Sequence, residues 1–168
     1  DFLNRLAPPD KRVTLLQWSG NCLPWENAVA ATYGAGVLNL NGGDTRFDRE
    51  RPSYTSVASI GRKLPGGIQI YASNANENVY TELWTDRFFG FAFLTQTWHN
   101  TGQPIRVKPK NLYYHMYSGE KMASLRALLN NLKAAESEPI APIAASAFAE
   151  LALGFYSTEI ADLGEGRW

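Results

Sequence analysis

Short apolar runs that end in glycine- or asparagine-rich segments are the feature that most constrains the fold of this chain. Val13–Trp18, Val37–Leu40 and Ile68–Ala72 run into SGN, NGGD and SNANEN. Short apolar runs bounded by such turn residues are typical of buried β-strands. Two further strands are predicted at Leu112–Tyr117 and Ile140–Ala144. We therefore expect several short strands, each followed by a polar loop.

Segments with helical spacing lie between these runs. Glu26–Tyr33 predicts a short helix that ends at the following glycines, and Val79–Trp98 predicts a long one. The long segment carries large side chains three and four residues apart, which predicts one helix face packed on a sheet. That face consists of Leu83, Trp84, Arg87, Phe88, Phe91, Leu94 and Trp98.

Two more helices are predicted in the last third of the chain. Met122–Leu132 has leucines at helical spacing, and Ser118 is a plausible N-cap for it. The second helix is predicted after Ser146 as its cap. Its apolar face would consist of Phe148, Leu151, Ala152 and Phe155.

Alternation of strands with helices predicts an α/β fold with parallel strands and right-handed crossovers. Two architectures fit: an open doubly wound sheet, or the later part of a (β/α) barrel. We favour the barrel, because no glycine-rich phosphate-binding loop follows the first strand. We expect residues 1–168 to form a single, incomplete domain of a longer protein.

Composition excludes several partners. The chain has 16 basic and 16 acidic residues, so it lacks the positive field that binds nucleic acid or an anionic membrane surface. No apolar run is long enough to predict a membrane span. Cys22 is the only cysteine, which excludes an internal disulfide and a cysteine-based zinc site. The chain also has 5 Trp, 8 Tyr and 8 Phe, which suit either a packed core or a carbohydrate ligand.

Polar side chains at the strand ends form the candidate ligand site. The carboxyl ends of parallel strands meet at one rim of a sheet or barrel, which is where ligands bind in such folds. One such loop alone is more simply a turn, whereas four on one face favour a site for a polar ligand. The candidate substrate-binding residues are Trp18, Asn21, Asn41, Asp44, Asn74, Asn76, Glu77 and Tyr117.

His115 is the candidate catalytic residue, because its predicted position near a strand end suits a general acid or base. A histidine packed in the core is the competing interpretation. His99 is interpreted as an exposed residue at a helix end. The two histidines lie too far apart in sequence for a metal-binding pair. The carboxylates of Asp44, Asp48 and Glu77 could still approach a cation.

Five segments together make a more specific pattern, which covers Val13 to Ile160. In chain order they resemble the later part of the deacetylase domain of bacterial polysaccharide deacetylases, especially those of Pel exopolysaccharide biosynthesis. The NGGD and ASNANENVY stretches are the most specific parts of the match. The segments are LLQWSGNCLPWENA, VLNLNGGDTRFD, PGGIQIYASNANENVYTELW, NLYYHMYSGEKMASLRAL and APIAASAFAELALGFYSTEI.

The resemblance implies a distorted (β/α) barrel that hydrolyses N-acetyl groups of an amino-sugar polysaccharide. Such enzymes use a divalent metal, zinc or similar, held by one Asp and an H-x-x-x-H pair. This chain has no H-x-x-x-H, so the metal ligands are expected upstream in the parent protein. The late-strand histidine of the family, which protonates the leaving amine, corresponds best to His115. The family's Arg-x-Pro-type motif has two candidate counterparts in this chain, Arg51–Tyr54 and Leu23–Pro24, and the choice between them stays open.

An enzyme that trims an exported polymer works in the periplasm or outside the cell, so the parent is expected to carry a leader or anchor before Asp1. The missing early strands would leave an open apolar sheet edge, with self-association or disorder near Asp1–Arg12. Two other functions stay open: a non-catalytic carbohydrate-binding module, and a glycoside hydrolase. The hydrolase would use a carboxylate pair such as Asp44 and Glu77, roughly 5 Å apart in a retaining enzyme.

Overall fold

A computed structural model describes residues 2–72, 80, 91–106 and 108–167 of the chain. Within these ranges the fold is α/β, as the sequence predicts. The α-helices are α1 (Phe2–Leu6), α2 (Glu26–Gly34), α3 (Leu94–Asn100), α4 (Met122–Glu136) and α5 (Ala145–Ser157). The strands are β1 (Leu15–Gln17), β2 (Leu38–Leu40), β3 (Gly61–Leu64) and β4 (Gly67–Ile70).

The described strands form one open, mixed sheet in the order β1-β2-β4-β3. β1 pairs parallel to β2, with Leu15 opposite Leu38, and β2 pairs parallel to β4, with Leu40 opposite Ile70. These parallel pairs agree with the predicted topology. The expectation of five parallel strands is wrong for the described residues, because the sheet has four strands and β3 runs antiparallel to β4.

β3 is the strand that sequence reasoning missed. It joins β4 through a tight turn at Pro65-Gly66, with Gly61 opposite Ile70 and Leu64 opposite Gly67. Arg62 and Lys63 occupy its centre, so it lacks the apolar run by which the other strands are recognised. Charged side chains are common on edge strands, where they oppose pairing with another chain.

Two of the predicted strands are absent from the described structure. Residues 111–115 pair with no strand, and Met116–Gly119 form a 3₁₀ turn. Residues 140–144 are also unpaired and lead directly into α5. Pro139 and Pro142 account for the second case, because proline has no N–H to donate to a sheet.

Both predicted serine caps are also wrong. Lys121 holds the N-cap position of α4, and Ser118 is buried in the preceding 3₁₀ turn. Ala144 holds the N-cap position of α5, which places Ser146 inside the helix. Neither N-cap side chain makes a capping hydrogen bond.

Buried apolar side chains form two clusters. One covers the sheet: Leu40, Ile70 and Ala72 pack against Ala152 of α5. The other joins α3 to α4, so the described part of the predicted aromatic face packs on a helix and not on the sheet. This second cluster consists of Tyr80, Phe91, Leu94, Trp98, Ala127 and Leu128. The remainder of that face, residues 83–88, lies outside the described residues.

None of the described helices is long and apolar enough to cross a membrane. β1 lies at one edge of the sheet, where the missing strands were expected, and Leu16 on it is partly exposed. α1 also exposes Phe2, Leu3 and Leu6. Self-association through this edge stays a prediction.

Lys108 is buried, and its Nζ donates a hydrogen bond to the Ser59 carbonyl oxygen. Burial lowers the pKa of Lys108 to about 8, whereas a lysine in an unfolded chain titrates near 10.4. Between these two pH values the unfolded chain binds more protons than the folded one. The contribution of Lys108 therefore makes the free energy of unfolding rise from about pH 8 to about pH 10.4.

Lys108→Met is expected to remove this rise. Denaturant titrations at about pH 7, 9 and 10.5 would show the stability difference between wild type and variant changing steadily across that window. Other titrating groups are common to both proteins and drop out of the difference. Parallel pH profiles for the two proteins would contradict the prediction.

Candidate functional site

The loops that follow β1 and β2 are joined to each other at the carboxyl ends of these strands. The Oδ1 of Asn21 accepts hydrogen bonds from the backbone N–H of Gly43 at 2.9 Å and of Asp44 at 3.3 Å. In the opposite direction, the Nδ2 of Asn41 donates to the carbonyl oxygen of Trp18 at 2.7 Å. We call this pair of loops, residues 18–24 and 41–44, the rim.

Gln69 of β4 makes hydrogen bonds to both loops of the rim. Its side chain is fully buried, and its Nε2 donates to the carbonyl oxygens of Cys22 and Asn41, both at 2.8 Å. Its Oε1 accepts from the Nε of Arg62 at 2.8 Å. One amide therefore ties the loop after β1, the loop after β2 and strand β3 together.

Gly43 is required by this geometry. Its φ of +69° lies in the left-handed region that favours glycine, and a Cβ there would stand 2.4 Å from the ring of Tyr71. The NGGD segment thus owes its second glycine to close packing of the rim on an aromatic ring.

An aromatic cluster around His115 reaches the same rim. The Oη of Tyr113 accepts a long hydrogen bond, 3.5 Å, from the backbone N–H of Gly20. The rings of Tyr113 and His115 meet edge to face at 5.1 Å, and those of His115 and Tyr117 stack at 4.7 Å. His115 is half-buried in this cluster. The contacts bring it to the loop that carries Trp18 and the amide of Asn21.

The strand predicted at Leu112–Tyr117 does not form, but packed and exposed side chains still alternate in this segment. His115 has extended backbone angles, φ −108° and ψ 160°, so its ring shares a face with that of Tyr113, two residues earlier. Tyr113, His115 and Tyr117 form the packed face, whereas Tyr114 and Met116 are exposed. The segment pairs with no described strand, and from Met116 onward it turns into the 3₁₀ turn.

Tyr117 makes a hydrogen bond to the imidazole of His115, and this bond bears on how the ring can take up and release a proton. Its Oη lies 2.7 Å from Nδ1 of the imidazole. When the phenol donates this bond, the neutral ring carries its proton on Nε2, and when the ring is charged, Nδ1 donates to the phenol instead. The hydrogen bond thus accommodates both protonation states, as a general acid or base requires.

The predicted substrate-binding residues fall into three groups. Asn21 and Asp44 are exposed on the rim, and Tyr117 is half-buried beside His115. Trp18 and Asn41 support the rim from within. The indole Nε1 of Trp18 donates to the Oδ1 of Asn39 at 3.1 Å, and Asn41 is fully buried. Residues Asn74, Asn76 and Glu77 lie outside the described residues, and with them the Asp44–Glu77 pair.

A buried charge cluster next to the rim was not predicted. The guanidinium of Arg46 pairs with Asp48 and Glu50, each at 2.6 Å, and Asp48 is fully buried. Burial acts to lower the pKa of Arg46, but its hydrogen bonds to Asp48 and Glu50 outweigh that effect and the pKa is raised overall. Alternating charges two residues apart, R-x-D-x-E, are the signal that sequence reasoning passed over.

The described residues do not fit a metal centre. Among them, no three His, Cys, Asp or Glu side chains gather closely enough to hold an ion. Asp48 is directed at Arg46, and His99 is exposed on α3, as expected for that residue. No step that involves a metal is assigned to these side chains.

Comparisons with known proteins add no relative to this description of an α/β chain. No protein-family model, no curated protein and no solved structure matches the chain.

Proposed function

We propose that this chain is the later part of a polysaccharide deacetylase domain, which removes N-acetyl groups from an amino-sugar exopolysaccharide. The rim binds the sugar, and His115 is the general acid that protonates the leaving amine. The proposal includes a barrel completed by other strands of the parent protein, in the periplasm or outside the cell.

The observation that carries the proposal is the contact between the His115 cluster and the rim. Tyr113 links the cluster to Gly20, and Asn21, the next residue, links the same loop to Gly43 and Asp44. The imidazole of His115 thus lies on a segment that contacts the rim, and the carboxylate and the amide lie on the rim itself, at the carboxyl ends of the parallel strands β1 and β2. This is the usual position of ligands and catalytic groups in α/β folds.

His115 suits the acid role on chemical grounds. An amine leaves an amide only after it gains a proton, and an imidazole is the side chain that best supplies one near neutral pH. The hydrogen bond between Nδ1 of His115 and the Oη of Tyr117 orients the ring. The family's divalent metal, zinc or similar, belongs in this proposal to residues of the parent outside this chain.

Calorimetric titration of this chain with sugar hexamers tests the proposal. We expect binding of N-acetylated amino-sugar hexamers and much weaker binding of glucose hexamers of the same length, because the rim offers amide and carboxylate partners for the N-acetyl group. Equal binding of both hexamers, or none of either, would overturn it. If the N-acetylated hexamer binds but the full-length parent releases no acetate from it, the non-catalytic binding module is supported instead.

A further inference from the structure

Trp25 is the most conspicuous side chain outside the rim. It is 87% exposed, although tryptophan is among the largest apolar side chains and is normally well buried. It occupies the N-cap position of α2, where its side chain makes no capping bond. Neither packing nor capping therefore explains an indole at this place.

The indole borders a cavity of about 590 Å³ between the start of α2 and strand β3. Pockets that bind small molecules typically measure roughly 300–1,000 Å³. Polar residues line the same cavity: Glu26 and Asn27 at the start of α2, and Arg62 on β3. The cavity is therefore large enough and polar enough for a hydroxyl-rich ligand.

Arg62 is held in place before any ligand arrives. Its Nε donates to Gln69 and its Nη2 donates to the carbonyl oxygen of Pro24. A guanidinium has five N–H donors, so the described residues use two and leave three for a ligand. Preorganised donors lose little conformational entropy on binding.

These groups match the chemistry of a sugar ring. One face of a pyranose presents C–H groups that stack on an aromatic ring, and its edge presents hydroxyls that pair with planar polar groups. Trp25 supplies the ring, while Glu26, Asn27 and Arg62 supply the planar groups.

The cavity is also continuous with the rim. Asn21 of the rim and Trp25 belong to the same short segment after β1. Gln69 bonds both to Cys22 on the rim and to Arg62 in the cavity wall. A polymer lying across the rim therefore has a second contact point along the same segment.

We propose that Trp25 and its cavity form a subsite for one further sugar ring of the polymer, next to the rim. This inference rests on the proposed function and adds to it a requirement for substrate length. Long oligomers reach both the rim and the subsite, whereas short ones occupy the rim alone.

Calorimetry with N-acetylated amino-sugar hexamers and dimers tests the subsite. Trp25→Ala is expected to weaken hexamer binding by about tenfold, the order of one aromatic contact, and to leave dimer binding unchanged. Trp25→Phe should restore most of the hexamer affinity. Phe2→Ala is the matched control, because it removes a similarly exposed ring, 68%, from α1.

The outcomes separate the two proposals. Hexamer binding that is the same in Trp25→Ala and wild type would overturn the subsite and leave the proposed function standing. Equal weakening of dimer and hexamer binding would also overturn it, because it indicates a general effect on the rim. If wild type binds neither oligomer, both proposals are wrong.

Discussion

Replacing His115 by alanine in the full-length parent is expected to lower the deacetylation rate by roughly 10²- to 10⁴-fold, the usual contribution of general acid catalysis. The melting temperature should stay close to that of wild type. His115 is half-buried and not part of the buried core, so its loss opens no deep cavity. Rate and melting temperature are measured on the same two proteins.

Met116→Ala is the matched control for this experiment. Met116 is the next residue and is 90% exposed, so its removal tests whether any truncation in this segment disturbs activity. We expect a near-normal rate for that variant. A His115→Ala parent with normal activity would remove His115 from the mechanism, and a lowered melting temperature would assign it a packing role instead.

Asp48→Ala is expected to destabilise the chain by about 3–5 kcal/mol, the cost of breaking a buried ion pair. Asp48 is fully buried, pairs with Arg46, and accepts hydrogen bonds from the backbone N–H of Glu50 and Arg51. Its removal leaves the buried guanidinium of Arg46 without the fully buried carboxylate, while the pair with Glu50 and the contact with the Tyr80 ring stay. The free energy of unfolding from denaturant titration measures the effect.

Asp10→Ala provides the comparison, since Asp10 also pairs with a cation but on the surface. Its contact with Lys11 is 3.6 Å long, and both side chains are about 70% exposed. Exposed pairs contribute roughly 0–1 kcal/mol, so this variant should differ little from wild type. Equal effects of the two substitutions would show that burial of the Arg46 cluster contributes nothing to stability.

The local pattern of the sequence predicted those elements whose residues alternate or repeat on one face. β1, β2, β4, α2 and α4 each lie close to the predicted range. Apolar runs and helical spacing predict them because burial of one face is a local property of the sequence. The prediction failed at Leu112–Tyr117, where the alternation is present but no strand pairs with it.

Part of the candidate site was also predictable. Asn21 and Asp44 follow apolar runs, His115 lies near the end of a predicted strand, and the described structure places all three on connected segments. The sequence does not single out Gln69 as a site residue, because within β4 it has the pattern of an ordinary strand residue. Its importance comes from bonds to Cys22 and Asn41, which no local pattern encodes.

The sequence by itself determined the α/β class, the positions of three strands and the polar loops that follow β1 and β2. Tertiary structure decided that β3 runs antiparallel at the edge, that Gln69 joins the two rim loops, and that Trp25 stays exposed beside a cavity. The physical reason is the distance along the chain between the interacting residues, because periodicity reports only which face of a single element is buried. Partners 28 or 47 residues apart, such as those of Gln69, meet only when the sheet assembles.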